Sequence, residues 1–236
     1  MADTRFRLSL VVPAYNEERF IEEVLRQTLE LPFEDVEVVV VDDGSQDRTA
    51  EIVAGLAESR QALRLVRHPV NRGKGAAVRT GLAATTGDIV VIQDADLEYS
   101  PKDVPKLIAP IAGGVADVVY GSRLRGGGEP QRAHLFWHYV GNRALTLLTN
   151  LLFNTTISDM EVGYKAFRGE LVRSISLRSE DFRFEPEISA KVLRRGVRLY
   201  ELPISYYGRT YDEGKKITWR DGILAVGALL RYRFSD

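Results

Sequence analysis

Short runs rich in β-branched residues alternate with helical patterns through the first 120 residues, and this alternation restricts the chain to few architectures. Residues 6–12 (FRLSLVV), 36–41 (VEVVVV), 62–67 (ALRLVR), 88–92 (DIVVI) and 116–120 (ADVVY) read as strands. Between them, residues 17–30 carry Phe20, Ile21, Val24, Leu25 and Leu29 at helical spacing, and residues 49–58, 73–85 and 102–111 are similar. Ser100-Pro101 supplies an N-cap followed by proline at the first helical position. This order predicts an α/β fold, a mostly parallel sheet covered by helices on both faces, with ligands bound beyond the C-terminal strand ends.

After about residue 122 the rhythm changes. A Gly- and Arg-rich loop leads to an amphipathic helix over 133–153, and a last helix begins near 218. We read 1–236 as one domain, in which 123–236 is an appendage that completes the site of 1–122 rather than an independent domain. The chain of 236 residues carries 32 Lys and Arg against 33 Asp and Glu, so its net charge of -1 gives no reason to expect nucleic acid. The absence of cysteine excludes disulfides and thiolate chemistry and fits a reducing compartment. The N-terminus lacks the layout of a signal peptide, and no apolar run reaches the roughly 20 residues of a spanning helix, so any membrane role is expected to be peripheral.

Three polar groups fall at predicted strand ends: Pro13-Ala14-Tyr15-Asn16-Glu17, Asp42-Asp43-Gly44-Ser45 and Asp94-Ala95-Asp96-Leu97-Glu98. All three converge on one rim. On extended backbone Asp94, Asp96 and Glu98 would point to one side, a place for Mg²⁺ or Mn²⁺, hard cations that complete their shell with phosphate oxygens. Asp-Gly-Ser is also ordinary turn and cap chemistry, so the force of these groups lies in their order. Asn71-Arg72-Gly73-Lys74-Gly75 fails as a phosphate loop, because Gly75 stands where Ser or Thr is needed, and reads as a tight strand-to-helix turn beside a donor. The histidines His68, His134 and His138 are not metal-spaced as a set.

Taken together, these motifs resemble the GT-A fold inverting glycosyltransferases of family 2, and within them the dolichyl-phosphate mannose and dolichyl-phosphate glucose synthases. The likeness covers nearly the whole chain. It implies a nucleoside pocket of Pro13, Tyr15, Glu17, Val41 and Asp43, with Asp43 on the base and Lys74 in the turn beside the donor. It implies that Asp94, Ala95 and Asp96 meet the pyrophosphate, that Asp94 and Asp96 hold the metal, and that Glu98 joins them at a position where Gln is common. Arg123 matches an arginine near the phosphates, a task its forked donors suit, and Arg209 and Lys215 match the phosphate positions of a basic C-terminal loop. Asp159 sits where relatives carry an Asp near the acceptor, and a positioning role is expected for it. Among these, Asp96, Arg123 and Asp159 are the expected catalytic set.

The implied activity is inverting transfer of a hexose from a nucleotide diphosphate sugar to a polyprenyl phosphate of dolichyl type, with UDP-glucose favoured over GDP-mannose by the C-terminal loop. The stretch 133–153 is rich in large apolar and aromatic residues, and 219–234 has an apolar centre with Trp, Tyr and Arg at its ends, the pattern of helices lying in a bilayer interface on the cytoplasmic side; packing on the sheet or on another subunit of a homo-oligomer is the other reading. Two other functions remain open: a GT-A enzyme acting on a soluble sugar or polysaccharide, and an inactive membrane-associated adaptor.

Overall fold

The computed structural model describes residues 6–126, 135–209 and 219–235. His134, Lys215 and most of the Gly-rich loop before the 133–153 helix lie outside them. A seven-stranded sheet runs in the order β3-β2-β1-β4-β6-β5-β7, built from β1 (Leu8–Ala14), β2 (Val36–Asp42), β3 (Leu63–Arg67), β4 (Ile89–Ile92), β5 (Val118–Ser122), β6 (Lys165–Arg168) and β7 (Leu199–Pro203). All pairings are parallel except those that β6 makes with β4 and β5. The helices are α1 (Ile21–Leu29), α2 (Thr49–Ser59), α3 (Lys74–Ala84), α4 (Val104–Ala112), α5 (Phe136–Phe153), α6 (Gly169–Arg173), α7 (Phe184–Arg194) and α8 (Trp219–Phe234).

The central strands show why the β-branched runs carry so few polar residues. Successive side chains of a strand face opposite ways, yet every residue of β4 and nearly every residue of β1 and β2 is buried, so both sheet faces are covered. The five strands read from sequence are present with ends shifted by up to two residues. Helix α1 starts at Ile21 rather than near 17, because residues 16–18 are tied instead to the loop after β2. Asn16 N donates to Ser45 Oγ, Glu17 N to Thr49 Oγ1 and Gln46 N to Asn16 Oδ1. Ser100 does cap the next element, its Oγ accepting from Lys102 N at 3.3 Å, although the first turn there is a 3-10 turn over Pro101–Asp103.

The part after residue 122 is woven into the sheet rather than appended to it. β6 lies between β4 and β5, with Lys165 opposite both Ile92 and Tyr120. Because β6 runs antiparallel, the loop that precedes it opens on the same rim as the C-terminal ends of its neighbours. α5 and α8 pack together through Leu145, Leu148, Leu152, Ala225, Val226 and Leu229. Their outer faces carry Trp137, Leu147, Leu151, Ile223 and Phe234, and Trp137 and Phe234 stand 77% and 78% exposed. Among the described residues no helix is long and apolar enough to cross a membrane.

Candidate active site

Four clusters line the C-terminal rim. The loop after β4 does not stay extended: Leu97 takes φ 60° and Glu98 N donates back to Asp96 Oδ1 at 3.0 Å. This turn splits the acids that an extended segment would have aligned. Asp94 pairs with Lys74 at 2.8 Å, on the first residue of α3, whereas Asp96 and Glu98 turn toward Arg209. The Arg209 guanidinium forms ion pairs with Asp96, with Glu17 at 3.4 Å and with Glu98 at 3.6 Å. Its backbone N–H also donates to Glu98 Oε1 at 2.7 Å, and Tyr206 Oη donates to Glu98 Oε2 at 3.2 Å. Burial, with Asp94 and Glu98 close by, pushes Asp96 up to about 7 against the downward pull of Arg209.

Beneath Asp94 lies a network that local sequence patterns did not reveal. Lys165 is fully buried, and its Nζ reaches Glu185, the Val162 carbonyl and, at 3.3 Å, the Met160 carbonyl. Glu185, at the start of α7, also lies 3.4 Å from Lys74. Asp94 and its neighbouring carboxylate raise the Lys74 pKa in spite of its burial, so this lysine is a fixed cation. Gly163 closes the network from above, since a Cβ there would stand 2.6 Å from Asp94 Oδ2 and 3.1 Å from Lys74 Nζ. Gly163→Ala is therefore expected to displace the Asp94 carboxylate and lower kcat by about 10²-fold, the cost of roughly 1 Å of misplacement. An unchanged kcat in steady-state transfer assays would show that Asp94 need not sit where Lys74 holds it.

Arg123, at the end of β5, is clamped by Asp159. Nη2 donates to Oδ1 at 2.7 Å, Nε to Oδ2 at 2.8 Å, and the backbone N to Oδ2 at 3.0 Å. Asn142 of α5 adds a bond of 2.8 Å to Asp159 Oδ1. Asp159 is wholly buried, and the Arg123 guanidinium holds its pKa below the ordinary carboxylate value against the upward effect of burial. The carboxylate thus positions Arg123, whose guanidinium also lies over the Tyr206 ring at 5.3 Å.

Asp43 faces the β3–α3 loop and is 2% exposed. It accepts from Gly73 N at 2.7 Å and from Arg72 N at 3.0 Å, and His68 Nδ1 lies 2.6 Å away. These backbone donors and His68 make Asp43 a brace on the Arg72-Gly73 turn. Gly73, at φ 97°, is the N-cap of α3 and has no room for a Cβ beside the Glu180 carbonyl, so the turn places Lys74 by requiring glycine. Pro13 and Val41 lie opposite one another in β1 and β2, Tyr15 and Glu17 follow on the same rim, and Ala95 is buried between the two acids.

Carboxylates of this kind, assembled around a cation, are the donor set that Mg²⁺ or Mn²⁺ prefers, and Asp94, Asp96 and Glu98 fit such an ion in chemistry. Among the described residues, however, they do not stand together as a ready-made cluster.

Residues 9–176 match the family described as Glycosyl transferase family 2. The chain is 31% identical over 211 residues to a dolichol-phosphate mannosyltransferase of Pyrococcus furiosus, covering 89% of this chain and 59% of that protein. It is also 31% identical over 216 residues to a dolichyl-phosphate beta-glucosyltransferase of Trichomonas vaginalis, covering 84% of this chain and 65% of that one. The chain thus spans about three fifths of the length of these two relatives. Among solved structures, glucosyl-3-phosphoglycerate synthase from Mycobacterium tuberculosis, in complex with Mn²⁺, UDP and phosphoglyceric acid, superposes with a TM-score of 0.76 at 25% identity over 100% of this chain and 81% of that one. With a family match over most of its length, relatives above 30% identity and a shared GT-A fold, the chain belongs to Glycosyl transferase family 2 and is a glycosyltransferase.

Proposed function

We propose that this enzyme transfers a hexose, with inversion, from UDP-glucose or GDP-mannose to a polyprenyl phosphate at the cytoplasmic surface of a membrane. One observation carries the reading. Arg123 is held by Asp159, and Asp159 by Asn142 of α5, so a phosphate-ready guanidinium is tied directly to the helix whose outer face presents Phe136, Trp137, Leu147 and Leu151 to solvent. Between Phe136 and Phe153 this helix has no acidic residue and one arginine, Arg143, which suits an anionic interface.

In this reading Pro13, Tyr15, Glu17 and Val41 border the nucleoside, while Asp43 shapes that pocket through Arg72 and Gly73. Asp94, Asp96 and Glu98 would hold Mg²⁺ or Mn²⁺, which when bound offsets the charge of the donor pyrophosphate. The chain's own cations, Lys74 and Arg123, fix the phosphates, with Arg209 and Lys215 as further candidates. The acceptor phosphate oxygen bonds to the anomeric carbon as the bond to the diphosphate breaks, and the nucleoside diphosphate leaves. No base is required, because a phosphate monoester with a second pKa near ~6 arrives as an anion. Asp159, clamped and acidic, is consistent with that.

A second reading, transfer to the hydroxyl of a small phosphorylated acid, is favoured by Glu161. Its buried Oε1 has no hydrogen-bond partner, and burial pushes the group up to about 7, a range suited to taking a hydroxyl proton. Both readings are tested by assaying UDP-glucose and GDP-mannose with Mn²⁺ against a short polyprenyl phosphate and phosphoglycerate. Turnover of the lipid phosphate is expected, and Trp137→Ser/Leu151→Ser should raise the KM for long-chain acceptor at least about tenfold without changing nucleotide affinity. Leu148 is unsuited to this test, because it packs inward against the α5–α8 cluster. Transfer to phosphoglycerate alone would overturn the polyprenyl reading.

A further inference from the structure

We propose that Arg209 is the resting counter-ion of the acidic site, and that entry of the divalent cation and departure of the Arg209 guanidinium are a single exchange. The inference rests on the metal assignment above and goes beyond it by making cation affinity a property of Arg209. Three carboxylates from two segments, Glu17 after β1 and Asp96 and Glu98 after β4, converge on one guanidinium that follows β7.

The oxygens a hard cation would need are already committed. Asp96 Oδ1 accepts from Glu98 N, and Asp96 Oδ2 faces Arg209 Nη2. Glu98 Oε1 accepts from Arg209 N, and Glu98 Oε2 accepts from Tyr206 Oη. Mg²⁺ sits about 2.1 Å from its carboxylate oxygens, so an ion on Asp96 Oδ2 would be pressed against the guanidinium in a pocket largely shut off from water. The two cations exclude each other there. The fit of Arg209 is also incomplete, since its Nε is buried without a hydrogen-bond partner. A guanidinium held by charge but not fully bonded is suited to leaving when a better-matched cation arrives with the anionic donor, whose phosphates offer the same fork a new bidentate partner. Lys74, by contrast, stays on Asp94 and Glu185, so the exchange concerns one side of the acidic loop only.

The consequence is that the site binds metal weakly without nucleotide and tightly with it, because a nucleotide diphosphate gives Arg209 somewhere to go. The test is Mn²⁺ binding followed by electron paramagnetic resonance on the full chain, with and without UDP. Without UDP, Arg209→Gln is expected to bind Mn²⁺ at least about tenfold more tightly than the wild type, and UDP should improve wild-type affinity far more than that of the variant. Arg209→Lys, which keeps the charge without the fork, should fall between them and serves if the glutamine variant does not fold. Equal or weaker Mn²⁺ affinity in folded Arg209→Gln, while the wild type binds Mn²⁺ with UDP, overturns the exchange alone. Failure of both proteins to bind Mn²⁺ even with UDP overturns the metal assignment beneath it.

Discussion

Asp96→Asn is expected to lower sugar transfer by on the order of 10³-fold while leaving the melting temperature at pH 8 equal to or above that of the wild type. The loss follows if Asp96 is the carboxylate through which the donor pyrophosphate is neutralised, since an amide offers neither the charge nor the second anionic oxygen. The retained stability follows from the surroundings of Asp96. Burial and the nearby Asp94 and Glu98 raise its pKa to about 7, well above the ordinary aspartate value. A carboxyl raised in the folded state favours folding fully only below its ordinary pKa, and that contribution is gone once the pH has risen through the folded value. At pH 8 the ionised Asp96 therefore weighs against the fold, partly offset by Arg209, and asparagine removes the burden. A site that holds like charges together for chemistry costs stability, so function and folding should separate in this variant. Steady-state transfer assays and thermal melts at pH 8 decide the matter. Retained activity would show that Asp96 is dispensable for chemistry, and a melting temperature lower by many degrees would show that its pairing with Arg209 is structural.

The parallel half of the fold was legible because its signals are local. β1, β2, β4 and β5 are short β-branched runs buried on both faces, so composition alone announces them, and the edge strand β3, half-exposed, was marked by its place between two helical patterns. β6 escaped for the opposite reason. Lys165-Ala166-Phe167-Arg168 has a charged residue at each end and no alternation, and it becomes a strand only because β4 and β5 leave a gap between them. α7 was equally opaque, because its Glu185, Glu187 and Lys191 are charged and yet all are buried. Their partners are Lys165, the Arg178 and Ser179 backbone, and each other, none of which periodicity could supply. At the site, the pairings of the side chains were not legible in the motifs. Asp159 was placed near an acceptor, and the structure spends it on Arg123. The acids after β4 were read as a line, and Leu97 bends them apart. Motif spacing locates side chains along a chain, whereas the counter-charge that decides what each can do arrives from another strand.

The Lys165–Glu185 pair should show this dependence as a stability effect: Glu185→Gln is expected to cost about 3–5 kcal/mol in urea unfolding, with little change in the denaturant slope. Lys165 is fully buried, and its charge is answered by Glu185 together with the Met160 and Val162 carbonyls. Removing the carboxylate leaves an ammonium in the interior with carbonyl dipoles and the face of the Tyr120 ring, 4.8 Å away, as its remaining partners. A well-packed apolar replacement of both partners avoids that penalty, so Lys165→Met/Glu185→Leu should recover most of the lost stability. It should not recover activity, because Lys74 leans on Glu185 at 3.4 Å as well as on Asp94 at 2.8 Å, and the double variant removes the lower of these two supports. The expected pattern is thus a destabilised single variant and a stable double variant that transfers sugar at least about tenfold more slowly, with Lys74 freed to shift off Asp94. A single variant within about 0.5 kcal/mol of the wild type, in the range of ordinary surface substitutions, would mean that the buried ammonium is satisfied without Glu185. A double variant that is both stable and fully active would confine the pair to a structural role and leave Asp94 to hold Lys74 unaided.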